Sequence, residues 1–320
     1  MSKNLPGSLA GEGRGDRPVA ATQSSARSKG PLVWLDMDQK ELDDAYDQSV
    51  YAPNQHLVQA RRRAASEALL KRITPERVAY GPSEDERLDI YRTHRPNAPI
   101  NIYVHGGAWR NGQAKEFAFP AEMFMNAGAN FVVLDFVQVQ NTGGNLMPMV
   151  QQVRSAVAWV YKNAARIGGD PQRIYITGHS SGAHLTGCTL VTDWQKEFGL
   201  PADIIKGGLL ISGMYDLKPV RLSKRSRYVN FTDEIEQALS SQRHLDKLNA
   251  PIIVAYGTQE TPEFQRQNRE FAAAVKAAGK PVELIVGEGF NHFEMQETLG
   301  NPYGIAGRAA LKLMNLQMAA

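Results

Sequence analysis

The run Ile174-Tyr175-Ile176-Thr177-Gly178-His179-Ser180-Ser181-Gly182-Ala183-His184-Leu185 decides the fold. Its first four residues are β-branched or aromatic, as a strand favours. Gly178-His179-Ser180-Ser181-Gly182 then has the Gly-x-Ser-x-Gly form of a nucleophile elbow, a strand-to-helix turn so sharp that the serine projects alone above the sheet. Glycine at both ends leaves room where a side chain would collide with the neighbouring strand and helix. Ser180 is therefore the candidate nucleophile, and the rest of the chain must supply a base, an acid and an oxyanion hole.

Around this run the chain alternates strand and helix, the pattern of a mostly parallel sheet covered on both faces. Strands are expected at Ile100–Val104, Phe131–Asp135, Arg173–Thr177, Gly208–Ile211, Ile252–Tyr256 and Val282–Val286. The longest amphipathic helix is expected over Met149–Arg166, with Val153, Val157, Val160 and Ala164 on one side. Upstream, Pro31–Leu70 reads as helical, with Leu42, Ala45, Tyr46 and Val50 on one face of its first segment. Val78–Tyr80 and Leu88–Tyr91 read as short strands of a meander. The segment Leu217–Leu248 breaks the alternation and reads as a small cap-like insertion over the carboxyl ends of the strands, where open α/β sheets place their ligands.

A chain of 320 residues with 42% hydrophobic content suits a single large α/β domain over residues 31–320. No apolar run approaches the ~18 residues that would span a bilayer. The N-terminus lacks the apolar core of a signal peptide, so a cytoplasmic location without membrane contact is expected. The single cysteine, Cys188, excludes an internal disulfide framework and suits a reducing compartment. About two turns into the helix after the elbow, it reads as a small buried apolar residue. Residues 1–30 hold five basic and two acidic side chains, which accounts for the whole net charge of +3. This tail is rich in Gly, Ser, Ala and Arg and reads as disordered. Without aromatics or a dense basic run it does not point to nucleic acid.

Strand Ile100–Val104 leads into His105-Gly106-Gly107-Ala108-Trp109, a Gly-rich turn able to aim backbone N–H groups at a carbonyl oxygen. With the amide after the nucleophile, the expected oxyanion donors are the backbone N–H groups of Gly107, Ala108 and Ser181. His105 reads as a brace of that loop. In sheets that carry this elbow the chain order is serine, acid, histidine. Of seven histidines, only His244 and His292 follow the serine at a loop distance. His292, in the loop after the last strand, fits as base, whereas His244 lies before the penultimate strand. His179 and His184 flank the elbow and cannot turn back to the Ser180 hydroxyl. The loop after Ile252–Tyr256 offers Glu260 and Glu263 as the orienting acid. Glu263 opens a helix after Pro262, where an acid serves the helix dipole, so Glu260 is preferred, with Asp216 as the alternative. No His-x-x-x-His helix, cysteine pair, P-loop or dinucleotide fingerprint is present, so neither metal nor cofactor is expected.

These residues resemble the arylformamidase (kynurenine formamidase) branch of the α/β-hydrolases, related to the hormone-sensitive-lipase-like esterases. The resemblance spans roughly residues 34–315. Its carriers are His105-Gly106-Gly107-Ala108-Trp109, Gly168-Gly169-Asp170-Pro171, Ser212-Gly213-Met214-Tyr215-Asp216-Leu217 and Pro262-Glu263-Phe264 with Gln267. It implies the α/β-hydrolase fold, with the acid at Glu260, two residues before the Pro-Glu-Phe segment, and the base at His292. Two positions depart from the family pattern. The family acid is usually aspartate, so Glu260 needs a retracted loop, and the residue after the nucleophile is often alanine rather than Ser181.

The resemblance implies serine acyl transfer to water, acting on an arylformamide such as N-formylkynurenine; Trp109 is a candidate wall of the site, with mere packing of the loop as the alternative. A carboxylesterase for short acyl or aryl esters is the alternative within enzymes. A non-catalytic binding homologue is the alternative from another class, and it predicts a broken triad. The basic run Arg221–Arg227 reads as a solvated loop, with reception of an anionic substrate as the sharper alternative. The expected partner is a small-molecule substrate, and a homodimer is compatible with the sequence.

Overall fold

The computed structural model describes residues 28–318. The tail read over residues 1–30 therefore lies, apart from its last three residues, outside the described part. A small antiparallel hairpin, β1 (Leu32–Trp34) and β2 (Met37–Asp38), comes first. The main sheet holds β3 (Glu76–Ala79), β4 (Arg87–Tyr91), β5 (Ala98–Val104), β6 (Asn130–Leu134), β7 (Gly169–His179), β8 (Gly207–Ile211), β9 (Ile252–Gly257) and β10 (Val282–Gly287). Their order across the sheet is β10-β9-β8-β7-β5-β6-β4-β3. Only β4 runs against the others, pairing antiparallel with β3 and β6. The meander expected upstream is thus a hairpin whose second strand joins β6 rather than the next strand in sequence.

Strands β5, β6, β8 and β9 are buried along their whole length, as strands covered on both faces must be. Period-2 alternation divides their side chains between two cores. On one face, Ile100, Ile102, Val104, Ile174, Ile176 and Val254 pack with α1 (Gln39–Ala45), α4 (Met147–Asn163), α5 (Ser181–Leu190) and α9 (Pro262–Ala277). On the other, Tyr103, Phe131, Val133, Leu209, Ile211 and Ile253 meet α2 (Gln55–Leu70), α3 (Ala121–Asn126), α10 (His292–Glu297) and α11 (Ile305–Leu313). Helix α6 (Trp194–Phe198) follows α5, and α7 (Leu217–Leu222) and α8 (Asp233–Leu239) belong to the segment between β8 and β9.

Three expectations change. Residues 32–38 form the hairpin, not a helix: Leu32-Val33-Trp34 is a strand-favouring triplet, and Leu35 turns the chain at φ 48°. Helix α1 starts only at Gln39, where Asp38 and Glu41 build a capping box. Leu42, Ala45 and Tyr46 are buried as expected, but Val50 is 55% exposed. The chain leaves α1 at Tyr46 and continues in a separate 3₁₀ turn, Gln48–Val50, so the face is not continuous. Helix α4 begins two residues earlier than expected, with proline in its first turn, and ends at Asn163.

The sheet positions the elbow by letting backbones approach closely. A Cβ on Gly182 would stand 2.1 Å from the Val104 carbonyl oxygen, and one on Gly178 would stand 2.2 Å from Thr186 Oγ1. Gly182→Ala is therefore expected to cost about 3 kcal/mol through overpacking. Thermal unfolding checks this: Tm should fall by several degrees, and an unchanged Tm would refute it.

Candidate active site

Strand β7 ends at His179 and α5 begins at Ser181, so Ser180 alone occupies the turn, at φ 58° and ψ −125°. For a residue with a Cβ this state is sparsely populated and persists only where the surroundings over-determine it. The Ser180 amide donates to the Ile211 carbonyl (2.9 Å), and the Ser180 carbonyl accepts from the His184 amide (3.1 Å). Gly106 lies so close that a Cβ there would stand 3.1 Å from Ser180 Cβ.

Two loops at the carboxyl ends of β9 and β10 bring the other groups in. The absence of a side chain at Gly257 permits their approach, because a Cβ there would be 2.1 Å from the Phe290 carbonyl oxygen. The amides of Thr258 and Gln259 donate to the carbonyls of Gly287 (3.0 Å) and Phe290 (3.0 Å). His292 opens α10 behind an Asn291 cap. The Ser180 hydroxyl donates to His292 Nε2 (2.9 Å), and His292 Nδ1 donates to Glu260 Oε2 (2.8 Å). The retraction that a glutamate needs is visible: the Glu260 amide turns back onto the Gly257 carbonyl (3.1 Å). Glu260 Oε1 then accepts from the Gly257 amide (2.7 Å) and the Ser212 hydroxyl (2.6 Å).

The electrostatics follow from burial. His292 packs against Phe264, Phe293 and His179 at ring-centroid distances of 5.0, 5.4 and 4.6 Å. Burial lowers its pKa well below the ordinary imidazole value, and the Arg225 guanidinium pushes the same way. His179 is likewise held low by burial, and His184 is brought down to about 4. Burial raises the Glu260 carboxyl, while the Ser212 hydroxyl and the Gly257 amide pull it back. With His292 Nδ1, three donors converge on this carboxylate and favour its ionised form.

Gly107, Ala108 and Trp109 all have positive φ, at 127°, 54° and 63°. Among the described residues, the amides of Gly107, Ala108 and Ser181 have no protein acceptor. Gly107 and Ala108 line the cavity above Ser180. Ser181, where the family often has alanine, uses its hydroxyl to accept from the Trp109 amide (3.2 Å), tying the strained loop to the elbow. Trp109 requires a correction. It does not line the cavity: it is 2% exposed, and its Nε1 donates to His184 Nδ1 (3.2 Å) beneath the loop.

His105 stacks between Phe117 and Phe136, with Nδ1 donating to the Gly106 carbonyl (2.8 Å), as a brace would. His244 bonds the Gln237 carbonyl in an exposed position. Asp216 caps α7 and pairs with Arg243 (3.1 Å). Glu263 is buried against Arg266 (2.6 Å) and the Tyr46 hydroxyl (2.9 Å). Cys188 is buried, its thiol pushed up to about 12 by burial. Sequence reasoning missed Ser212 as a holder of the acid. It also missed Tyr46, Gln48 and Arg62, which, with Arg225 of the basic run, line a cavity of about 780 Å³ over Ser180. The Ser212–Leu217 run carried a signal, but no periodicity linked it to Glu260.

A family model described as BD-FAE matches residues 88–207. The kynurenine formamidase of Danio rerio is 30% identical over 295 residues, spanning 88% of this chain and 98% of the relative. That of Salmo salar is 31% identical over 281 residues, spanning 83% and 93%. The chain belongs to the kynurenine formamidase family. It is accordingly a hydrolase. The native structure of the thermophilic esterase Est2 of Thermogutta terrifontis superposes with a TM-score of 0.60 at 22% identity, covering 76% of this chain and 90% of that one. That likeness agrees with the α/β-hydrolase fold of the family.

The lowered pKa of His292 has a definite sign in a pH profile. A base whose pKa is depressed stays neutral as pH drops through the ordinary imidazole value of ~6.5. The acid limb of kcat/KM is therefore expected below that value. A limb centred above it would contradict the electrostatic account.

Proposed function

We propose that this hydrolase cleaves arylformamides, with Ser180 as nucleophile, His292 as general base and acid, and Glu260 as the orienting carboxylate. One observation carries the reading: the unbroken chain of hydrogen bonds from Ser180 Oγ through His292 to Glu260, opening onto a cavity at the strand ends. A non-catalytic homologue would have no need to keep all three groups in register. Membership of the kynurenine formamidase family selects the formamide as the scissile bond.

The steps follow from the geometry. Ser180 Oγ attacks the formyl carbon as its proton passes to His292 Nε2. The imidazolium so formed is stabilised by the Glu260 carboxylate on Nδ1. The carbonyl oxygen, now negative, rests on the amides of Gly107, Ala108 and Ser181, which need no reorganisation because no protein group occupies them. His292 gives its proton to the leaving nitrogen, the C–N bond breaks and the arylamine departs. A water, deprotonated by His292, attacks the formyl-enzyme and releases formate. The three histidines that surround the elbow stay neutral through burial, so no second cation competes for the carboxylate.

Ser180→Ala is expected to abolish formamide hydrolysis and labelling by a fluorophosphonate probe. Glu260→Gln keeps acceptors for Ser212 and Gly257 but replaces the acceptor for Nδ1–H with an amide, and should lower kcat by roughly 10³–10⁴ by analogy with an Asp→Asn change in a serine-protease triad. Comparing kcat/KM for N-formylkynurenine and p-nitrophenyl acetate decides the leaving group. A large preference for the ester would replace the formamidase reading with a carboxylesterase.

A further inference from the structure

His184 stands one helical turn after Ser180 and is fully buried. Its backbone amide donates to the Ser180 carbonyl (3.1 Å), so it helps to hold the nucleophile's turn. Its ring reaches the loop that carries the proposed oxyanion donors. Nδ1 accepts from the Trp109 indole (3.2 Å), and the two rings meet edge to face at 5.3 Å and 87°. With Nδ1 an acceptor, the ring proton sits on Nε2, which donates to the Leu239 carbonyl (3.0 Å). Leu239 ends α8 in the cap-like segment, so both ring nitrogens are occupied and one tautomer is fixed. Burial brings the imidazole down to about 4, which leaves the Nδ1 lone pair to the indole at neutral pH.

The loop needs such an anchor. Ala108 and Trp109 carry a Cβ at φ 54° and 63°, a state that persists only where the surroundings impose it. Three contacts impose it at Trp109. Its amide donates to Ser181 Oγ (3.2 Å), its carbonyl accepts from the Val139 amide (2.9 Å), and its indole donates to His184. The first and the last come from α5, the helix that begins at the nucleophile. The amides of Arg110 and Asn111 both return to the Gly107 carbonyl (3.0 and 3.1 Å), which fixes the curl of the loop but not its place relative to Ser180. The Ser181 contact alone would let the loop swing about a single point. The indole–imidazole bond supplies a second point on the same helix, and two points set where the Gly107 and Ala108 amides aim.

We infer that His184 is a positioning residue for the oxyanion hole, holding the Gly107 and Ala108 amides in register with Ser180 through the Trp109 indole. It does not line the cavity and acts only through Trp109. This role rests on the acyl-transfer reading of Ser180, and adds the device by which nucleophile and oxyanion donors keep one geometry. Misaimed donors weaken the tetrahedral state more than the bound substrate, so the effect falls on kcat rather than KM.

Two substitutions separate the two ring nitrogens. His184→Asn puts an amide oxygen near the place of Nδ1 and keeps an acceptor for the indole. His184→Gln puts its amide nitrogen near the place of Nε2, keeping the donor to Leu239 and leaving the indole unpaired. On N-formylkynurenine, with p-nitrophenyl acetate beside it, His184→Gln should lower kcat about 10- to 100-fold with KM little changed, somewhat less than outright removal of an oxyanion donor. Inhibition by phenylboronic acid, whose serine adduct is a tetrahedral anion, should weaken in parallel. His184→Asn should keep most of both. Trp109→Phe should reproduce the loss, and combining it with His184→Gln should cost little more, because the two side chains serve one contact. Equal kcat losses in His184→Asn and His184→Gln overturn the inference, as do an undiminished kcat in His184→Gln or losses that add in the double variant. If His184→Gln fails to fold, Trp109→Phe decides: a kcat loss matched by weaker boronate inhibition supports the role, and an unchanged kcat overturns it. A wild type inert on both substrates would sink the acyl-transfer reading and this role with it. Activity on the ester alone would sink only the formamidase reading, and the ester kinetics would still judge His184.

Discussion

The close approach of three backbones around Ser180 is the constraint on which the rest of the site depends. Gly106, Gly178 and Gly182 each occupy a place where a Cβ would penetrate a neighbouring carbonyl or side chain. Their absence of side chain lets β5, β7 and α5 converge until the serine is forced into a backbone state that it would not adopt in isolation. The strain is offset by the sheet itself, through the Ser180 amide on Ile211 and the first turn of α5. Once the hydroxyl is fixed, the base must come from a loop at the same end of the sheet. Gly257 plays the equivalent part there, allowing the loops after β9 and β10 to touch.

Burial then decides the protonation states. The imidazoles of His105, His179, His184 and His292 are all displaced towards neutrality by loss of solvent. A buried glutamate beside neutral rings would itself tend to protonate, and the Ser212 hydroxyl with the Gly257 amide opposes that tendency. These two donors also offset the extra methylene of glutamate, because they hold the curled loop that retracts it. The hydroxyl of Ser181 does comparable work on the opposite side, bracing a loop with three successive positive φ values.

Much of this is legible in the amino-acid sequence. The strands of the main sheet fall where β-branched runs lie between turn residues, and Ser180, Glu260 and His292 come together as their order along the chain implied. What escaped has a common physical cause. Residues 32–38 form a hairpin because local strand propensity outweighs a helical periodicity too short to be decisive. Trp109 lies under the oxyanion loop because its partner His184 is on α5, a contact that no local pattern encodes. Ser212 reaches Glu260 across two neighbouring strands, and only the β8–β9 pairing makes them adjacent.

The cavity wall shows the same dependence on distant pairing, and explains why a basic run in sequence divides into unequal parts. Of the run Arg221–Arg227, Arg221 meets Asp233 and Glu236, Lys224 meets Asp47, and Arg227 meets Asp43. These are the solvated or cross-linking members that composition suggests. Arg225 points the other way because the 3₁₀ turn Lys224–Arg227, capped by Ser223, rotates successive side chains about a third of a turn apart. One residue of the turn must therefore face inward, against Tyr46 at the end of α1 and the rings of Trp109 and Phe264. Rotation puts arginine at that position, with its neighbours already paired outside. The charge is thus separated from every acid that stabilises the loop.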